Sequence, residues 1–560
     1  MSLTFKRHYP LLVILLVATL LLTAGLGNQR IIAYSVPGTL QAETPAVTGT
    51  TYSGDVALFD DTIVHSIQVL MADGDFEQML TTYRETGAKD YFHADVIIDG
   101  VQISNVGVRL KGNASLRTAV GGRMAGEVRE FGGNFGWGDA RPDPGAAGEA
   151  PFDPPAGQPP MRPEGQERPF QPDEGAAGAL PPEGALPEGQ APAIPGGVPW
   201  DPENMPFQPG GDFGGGMGDG TTEVTVDTKI PLMLRFDETV EGQNYQGYTH
   251  LALRTYGTSN DAAMLQEPVT NAAARAIGLP VTNTAFASVQ LNAGETQLYT
   301  LSEAINEQYL AEHFENSDGV LYKAELGSTL RYQGEDPSLY DNSFTQKTRV
   351  NDADLAPLIA FMRFLSEADD ATFSAELPNY LDVEAFATYL ALNNLLVNTD
   401  AIVGMNNNYY LYYDDVEQRF TLLMWDANES LGKLAMGGAS ASYDIYAGQQ
   451  ESSTSQMGGR MRGGMGGGSN TLAARFLNTP EFLALYEGEL QRLYQELFVS
   501  GFLVKQVETY ATLVRTADAG GVLVDPNAYE QAVARVLDFI AQRQAYLAGL
   551  PLFSETTTPF

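Results

Sequence analysis

Apolar and polar residues alternate through much of the first half of the chain, the period that suits half-buried strands. "HSIQVLM" (65–71) has strand character, and "FEQMLTTYRET" (76–86) carries helical spacing. "YFHADVIIDGVQISNVGVRLKGNASL" (91–116) alternates on both sides of Asp99-Gly100, a dipeptide that fits a hairpin turn. "TEVTVDTKIPLMLRFDE" (222–238) reads as strand, and "AFASVQLNAGETQLYTLSEAI" (285–305) as two strands about a turn at Asn292–Gly294. Between these, "NDAAMLQEPVTNAAARAIGLP" (260–280) predicts a helix stopped by Gly278 and Pro280. The period then changes. "LDVEAFATYLALNNLLVN" (381–398) predicts an apolar helix with Asp382 as its N-cap. "NYYLYYD" and "RFTLLMWD" read as a strand pair. Thr479-Pro480 and Asp525-Pro526 open two further helices with proline at the first position.

The pattern lapses in four places. Residues 1–27 place Lys6 and Arg7 before an apolar run from Leu11 to Leu22, the plan of an export signal that is either cleaved or kept as an N-terminal membrane anchor. Residues 28–52 are polar and read as a tether. From about 121 to 220 the chain turns to Pro, Gly, Ala and Glu, too poor in aliphatic residues to offset its ordering entropy, and it reads as a disordered insertion. A Gly/Met/Ser-rich loop spans about 436–470. Its Ser and Thr residues ("ESSTS") are candidate phosphorylation sites, although the composition suits a plain linker. These breaks frame a β-rich part, 53–305, a mainly helical part, 306–552, and a tail, 553–560. The predicted class is α+β.

Composition narrows the chemistry. The chain has 560 residues and a net charge of −38, which argues against nucleic acid as a partner, since phosphate backbones need clustered Lys and Arg. It has no cysteine, so disulfides, thiolate metal sites, cysteine nucleophiles and lipoprotein anchoring are excluded. Five scattered histidines and no His-Glu-x-x-His leave zinc hydrolysis without support. There is no Gly-x-Ser-x-Gly elbow and no dinucleotide fingerprint after a strand.

What remains is "NTDAIVGMNNNYYLYYDDVEQRFTLLMWDANESLG" (398–432). Phosphoryl transfer from ATP needs a carboxylate near the acceptor hydroxyl, an Asn and an Asp to hold Mg²⁺ against the phosphates, and a cation to neutralise them. Asp400 fits the first role. One of Asn406, Asn407 and Asn408, together with Asp426 at the end of the apolar run "TLLMW", fits the second.

Five segments, "VGVRLKGNASL", "KIPLMLRFDE", "LYTLSEAI", "NTDAIVGMNNNYYLYY" and "FTLLMWDANESLG", occur in this order and together resemble the spore coat protein H (CotH) kinase family. The resemblance runs from about 60 to 550. It implies a diverged, two-lobed protein-kinase-like fold with the Pro/Gly-rich insertion inside its β-rich lobe. It also implies phosphorylation of Ser or Thr on protein substrates outside the cytoplasm, dependent on ATP and on Mg²⁺ or Mn²⁺. By this likeness Asp400 is the acceptor-orienting base, Asp426 the metal-binding Asp, and Asn408 the metal Asn, with Asn406 and Asn407 as competitors. Asn428 stands where members often carry a second Asp. Lys229 is expected to pair with Glu267 on the helix, and Lys111 to touch phosphate. Arg109 is a structural or phosphate-facing cation, and Glu303 a residue that touches the nucleotide or caps the following helix. Two alternatives stay open: a non-catalytic scaffold or pseudokinase of the same fold, and an extracellular calcium-binding or adhesive protein.

Overall fold

The computed structural model describes residues 49–112, 116, 119–120, 224–255, 262–325, 327–352, 354–433, 441–449 and 470–554. The export signal, most of the tether, the Pro/Gly-rich insertion and the "ESSTS" stretch lie outside these residues. Among the described residues no helix is long and apolar enough to cross a membrane.

The alternating first half forms strands, and the strands close on themselves. After the short β1 (Thr51–Tyr52) come β2 (Val64–Met71), helix α1 (Asp75–Thr86), β3 (Phe92–Ile98) and β4 (Val101–Leu110). The β3–β4 turn has Asp99 at φ 48° and Gly100 at φ 85°, so both central residues are left-handed, as a type I′ hairpin requires. Next are β5 (Leu232–Arg235), β6 (Asn244–Tyr245) and β7 (His250–Arg254), helix α2 (Gln266–Ala276), β8 (Thr284–Leu291) and β9 (Gln297–Glu303). Seven of these strands make a closed barrel in the order β2-β3-β4-β5-β7-β9-β8. Closure comes from parallel pairing of β2 with β8, Val64 opposite Phe286 through Val69 opposite Leu291. Val96, Ile98, Val108, Leu234, Leu253 and Leu301 fill the interior. A closed barrel leaves no unpaired edge, which is how a sheet of this length avoids edge pairing with other chains.

Two details depart from the sequence reading. Strand structure around 222–238 is confined to Leu232–Arg235, because Pro231 has no N–H to give to a ladder. Thr51 and Tyr52, assigned to the tether by composition, pair in parallel with Asn244 and Tyr245. β4 and β5, which flank the long insertion in sequence, are neighbours: Leu110 lies opposite Leu232, and Lys111 N–H donates to the Pro231 carbonyl at 2.9 Å.

The rest of the chain is mixed. Helix α3 (Glu307–His313) leads into β10 (Val320–Ala324), β11 (Phe344–Gln346), α4 (Ala356–Glu367), α5 (Asp370–Glu376), α6 (Val383–Leu395), β12 (Tyr409–Asp414) and β13 (Arg419–Met424). Helices α7 (Thr471–Asn478), α8 (Pro480–Leu493), α9 (Phe502–Ala517) and α10 (Pro526–Ala548) follow. The four strands form an antiparallel sheet ordered β11-β10-β12-β13. Helix α6 is apolar nearly all round because it is buried nearly all round, a central post against which α8 and β13 pack. Its start is fixed locally: the Asp382 carboxylate accepts from Ala385 N–H at 3.0 Å. Replacing Asp382 with Ala removes that cap, with an expected loss of about 1 kcal/mol, seen as a lower denaturant midpoint at unchanged slope. Helix α2 belongs to this second core rather than to the barrel interior. Its first nine residues, Gln266 to Ala274, are all buried.

Candidate active site

The site is assembled where β4, β7, α2, the exit of α6 and the end of β13 meet. Asp400 follows the end of α6 by five residues, on a turn whose backbone doubles back: Met405 N–H donates to the Thr399 carbonyl at 3.0 Å. Its carboxylate accepts from two asparagine amides, Asn407 Nδ2 at 3.2 Å and Asn408 Nδ2 at 2.7 Å. Asn408 Nδ2 also donates to the Asp426 backbone carbonyl at 3.3 Å. One side chain thus ties the two aspartates together. Asn408 and Asp426 are both left-handed, with φ of 54° each, a conformation that asparagine and aspartate tolerate better than most residues. Asn406 is buried and left-handed in the same turn; the amides on Asp400 come from its two successors.

The opposite wall supplies cations. Arg254, the last residue of β7, spreads its guanidinium between two acids. Nη1 donates to Glu267 Oε1 at 2.7 Å, and Nη2 donates to Asp426 Oδ1. Glu267 is fully buried and Arg254 nearly so. Lys111, just past β4, points the same way: its Nζ lies 5.3 Å from the Trp425 ring centroid, and the Arg254 guanidinium lies 5.5 Å from it. Two cations therefore share one aromatic ring beside Asp426.

Electrostatics set these groups apart. Burial, followed by the nearby charges of Asp426 and Glu429, pushes Asp400 up to about 7, although the Asn407 and Asn408 amides favour its charged form. Asp426 goes the other way. Burial alone would raise it, but the charges of Arg254 and Lys111 hold it below the usual carboxylate range. Two acids in one site with opposite shifts is the pattern of a base beside a permanently charged ligand group. Burial, with Arg254 and Arg109 close by, brings Lys111 down to about 7.

The residues expected from sequence distribute as follows. Asp400, Asn408, Asp426, Glu267 and Lys111 are brought together. The ion pair shown for Glu267 is with Arg254, where a lysine, Lys229, was expected. Lys229 precedes the short β5, with Nζ 3.3 Å from Met264 Sδ and 5.6 Å from the Tyr299 ring centroid. The expected lysine–glutamate pair is instead Arg254–Glu267. Arg109 lies on β4 two residues before Lys111, over the Tyr91 ring, and donates to the Leu110 carbonyl at 3.3 Å. Glu303 ends β9 opposite Leu251, at the other end of β7 from Arg254. There it accepts from Asn283 N–H and Nδ2, both at 3.0 Å, and burial raises it to about 7. Its place is the junction of β9 with α3, away from Arg254 and Asp426. Asn428 Nδ2 donates to Glu429 at 3.2 Å. Arg254 went unnoticed in the sequence, although "HLALR" is a strand that ends in a cation directly before the glutamate-bearing helix.

The donor set suits a hard cation. Asn408 turns its nitrogen to Asp400 and the Asp426 carbonyl, which leaves Oδ1 as an acceptor; Arg254 takes Asp426 Oδ1, which leaves Oδ2. Among the described residues no three His, Cys, Asp or Glu side chains converge as a cation cage. Few protein oxygens, completed by phosphate and water, is the habit of Mg²⁺ rather than of Zn²⁺ or a calcium cage.

The sequence model of the family described as CotH kinase protein matches residues 219–547. Inner spore coat protein H of Bacillus subtilis (strain 168) is 24% identical over 276 residues, which cover 47% of this chain and 68% of that protein. The family match begins after Lys111 and Arg109, but it takes in the barrel from β5 onward, the helical region, and Arg254, Glu267, Asp400, Asn408 and Asp426 in order. A match over more than half of the chain that contains both walls of the site makes this protein a member of the CotH kinase protein family.

Proposed function

We propose that this protein is an exported, metal-dependent phosphotransferase of protein-kinase-like, two-lobed plan, which moves the γ-phosphoryl group of ATP to Ser or Thr hydroxyls of a protein substrate. The observation that carries this reading is the Asn408 bridge, which sets a raised Asp400 beside a lowered Asp426 opposite the Arg254–Glu267 pair. When bound, ATP and Mg²⁺ would supply the transferable phosphoryl group and the neutralising charge. Asp426 and Asn408 would hold the cation through their remaining oxygens. Lys111 and Arg254 would bind the phosphates, and Trp425 would keep both cations in place. Asp400 would accept the proton of the incoming hydroxyl, and its raised pKa suits that task near neutrality. The buried Glu267 would keep Arg254 aimed into the site. In this reading the barrel and the helical region would serve as the two lobes.

The apolar N-terminus behind Lys6 and Arg7 supports export, and the relative named as an inner spore coat protein supports a surface location. The acidic chain supports a protein partner rather than nucleic acid. The direct test is incubation of the purified protein with labelled ATP and Mg²⁺. Wild type is expected to label itself or an added protein, and Asp400→Asn and Asp426→Ala are not; equal labelling by all three would remove the assignment.

The reading has a pH signature. Asp400 must be ionised, so kcat/KM for ATP rises as pH passes about 7; Lys111 must be protonated, so it falls again through about 7. The expected profile is a narrow bell near neutrality. In Lys111→Arg the guanidinium stays charged, and the alkaline limb is expected to disappear. Persistence of that limb would show that Lys111 is not its source.

A further inference from the structure

Resting on the reading above, we propose that Arg543 is a positioning residue for the phosphotransfer site. From α10 it clamps the exit of α6 and the chain beyond Asp426 in their working places through backbone carbonyls alone.

The Arg543 side chain is fully buried. Nη2 donates to the Asn394 carbonyl at 2.9 Å and Nε to the Leu395 carbonyl at 3.1 Å. Nη1 donates to the carbonyls of Ala441 at 2.9 Å and Tyr443 at 2.6 Å. No carboxylate is among these partners. The last turn of α6 has no basic residue of its own, and helix C-termini carry unsatisfied carbonyls and partial negative charge. Arg543 brings the missing cation from another helix.

The clamp reaches the chemistry on two sides. Beyond Leu395 the chain is tied down by Asn398, whose N–H and Nδ2 both bond Asn393 at 2.8 Å, so movement of the α6 exit is passed on to Asp400. Leu431 N–H donates to the Leu396 carbonyl at 2.8 Å, linking the same exit to the segment that follows Asp426. On the other side, residues 441–449 are docked without any ion pair to Arg543. Tyr486 Oη donates to the Ile445 carbonyl, Asn394 Nδ2 to the Ala447 carbonyl at 3.2 Å, and Gln449 Nε2 to the Leu477 carbonyl at 3.0 Å.

In regulated protein kinases the segment after the metal-binding aspartate is ordered when a phosphate pairs with arginine. Here Arg543, the arginine that reaches residues 441 and 443, already spends its donors on four carbonyls. The clamp therefore needs no modification to form, and a progress curve without a lag is what it predicts.

The test uses the full chain with Arg543→Met, and Arg543→Lys as the milder change. Arg543→Met is expected to lower kcat about 10- to 100-fold by displacing Asp400, with the KM for ATP within about twofold because the phosphate-holding groups lie on other elements. Arg543→Lys is expected to recover part of the rate. Wild-type progress curves are expected to be linear from mixing. A folded Arg543→Met with wild-type kcat, a kcat loss matched by an equal loss of nucleotide-binding sites, or a wild-type lag removed by preincubation with ATP would each overturn the proposal. Should Arg543→Met not fold, Arg543→Lys is read by the same criteria. Amide hydrogen exchange at 396–405 and 441–449 separates this proposal from the one beneath it. Faster exchange in Arg543→Lys, with no phosphotransfer by wild type, leaves the clamp standing and removes the activity; unchanged exchange removes the clamp.

Discussion

Asp400→Asn is expected to lose 10²- to 10⁴-fold in kcat, the range for removal of a positioned general base, while binding ATP about as well as wild type. The same substitution is expected to stabilise the protein at alkaline pH. Burial raises the Asp400 carboxyl to about 7 in the folded chain, against an ordinary value near 4. Such a group binds more protons folded than unfolded. The stability it subtracts grows as pH rises from about 4 to about 7 and is constant above that. Asparagine never ionises, and it keeps an oxygen for one of the two amides. The variant's melting temperature is therefore expected to exceed that of wild type by a few degrees at pH 8 and to converge with it near pH 4. A melting temperature below wild type at pH 8 would mean that the Asn407 and Asn408 amides outweigh burial. A kcat close to wild type would mean that Asp400 is not the base.

Arg254→Met is expected to be the most destabilising single change at the site. It leaves the fully buried Glu267 carboxylate without its guanidinium partner and exposes Asp426 to a site with one cation fewer. Breaking a buried pair from one side costs about 3–5 kcal/mol. Replacing both partners is a different matter, since the desolvation penalty goes with the charge. Arg254→Met/Glu267→Gln is expected to regain most of the loss, and a double-mutant cycle of unfolding free energies measures the coupling. Neither variant is expected to bind ATP tightly, because one of the two cations beside Asp426 is gone from both. Arg254→Lys is not expected to substitute: an ammonium cannot present the planar fork that reaches Glu267 and Asp426 together. Additive stability effects in the cycle would show that Glu267 does not depend on Arg254.

Much of the active wall was legible because its signals are short. Asp400 ends a turn after an apolar helix, and Asp426 ends an apolar strand; each is placed by its own neighbours in sequence. Residue type alone left the choice among the three asparagines open, and only the family resemblance favoured Asn408. All three suit a left-handed turn, and which amide meets Asp400 and the Asp426 carbonyl depends on how β12 leaves that turn. Arg254 was passed over in favour of Lys229 for a related reason. Both are cations near strands, and the pairing with Glu267 falls to the one on β7, the strand immediately before α2. Arg543 gave no signal, because it is a lone arginine in an amphipathic helix whose role arises only where α10 crosses the end of α6.

The order of apolar periods along the chain fixed the elements: the Asp99-Gly100 hairpin, the capped α6, the β12–β13 pair and the helices opened by proline. Periodicity, caps and turns are decided within a few residues, so they are written locally. The tertiary structure alone decided that the strands close through β2 and β8, that Arg254 holds Glu267 and Asp426, and that Arg543 caps α6. Each of these is a choice of partner that no local pattern contains, 13 residues apart for Arg254 and Glu267 and 172 for Arg254 and Asp426, and it is settled by register, burial and charge satisfaction in the assembled fold.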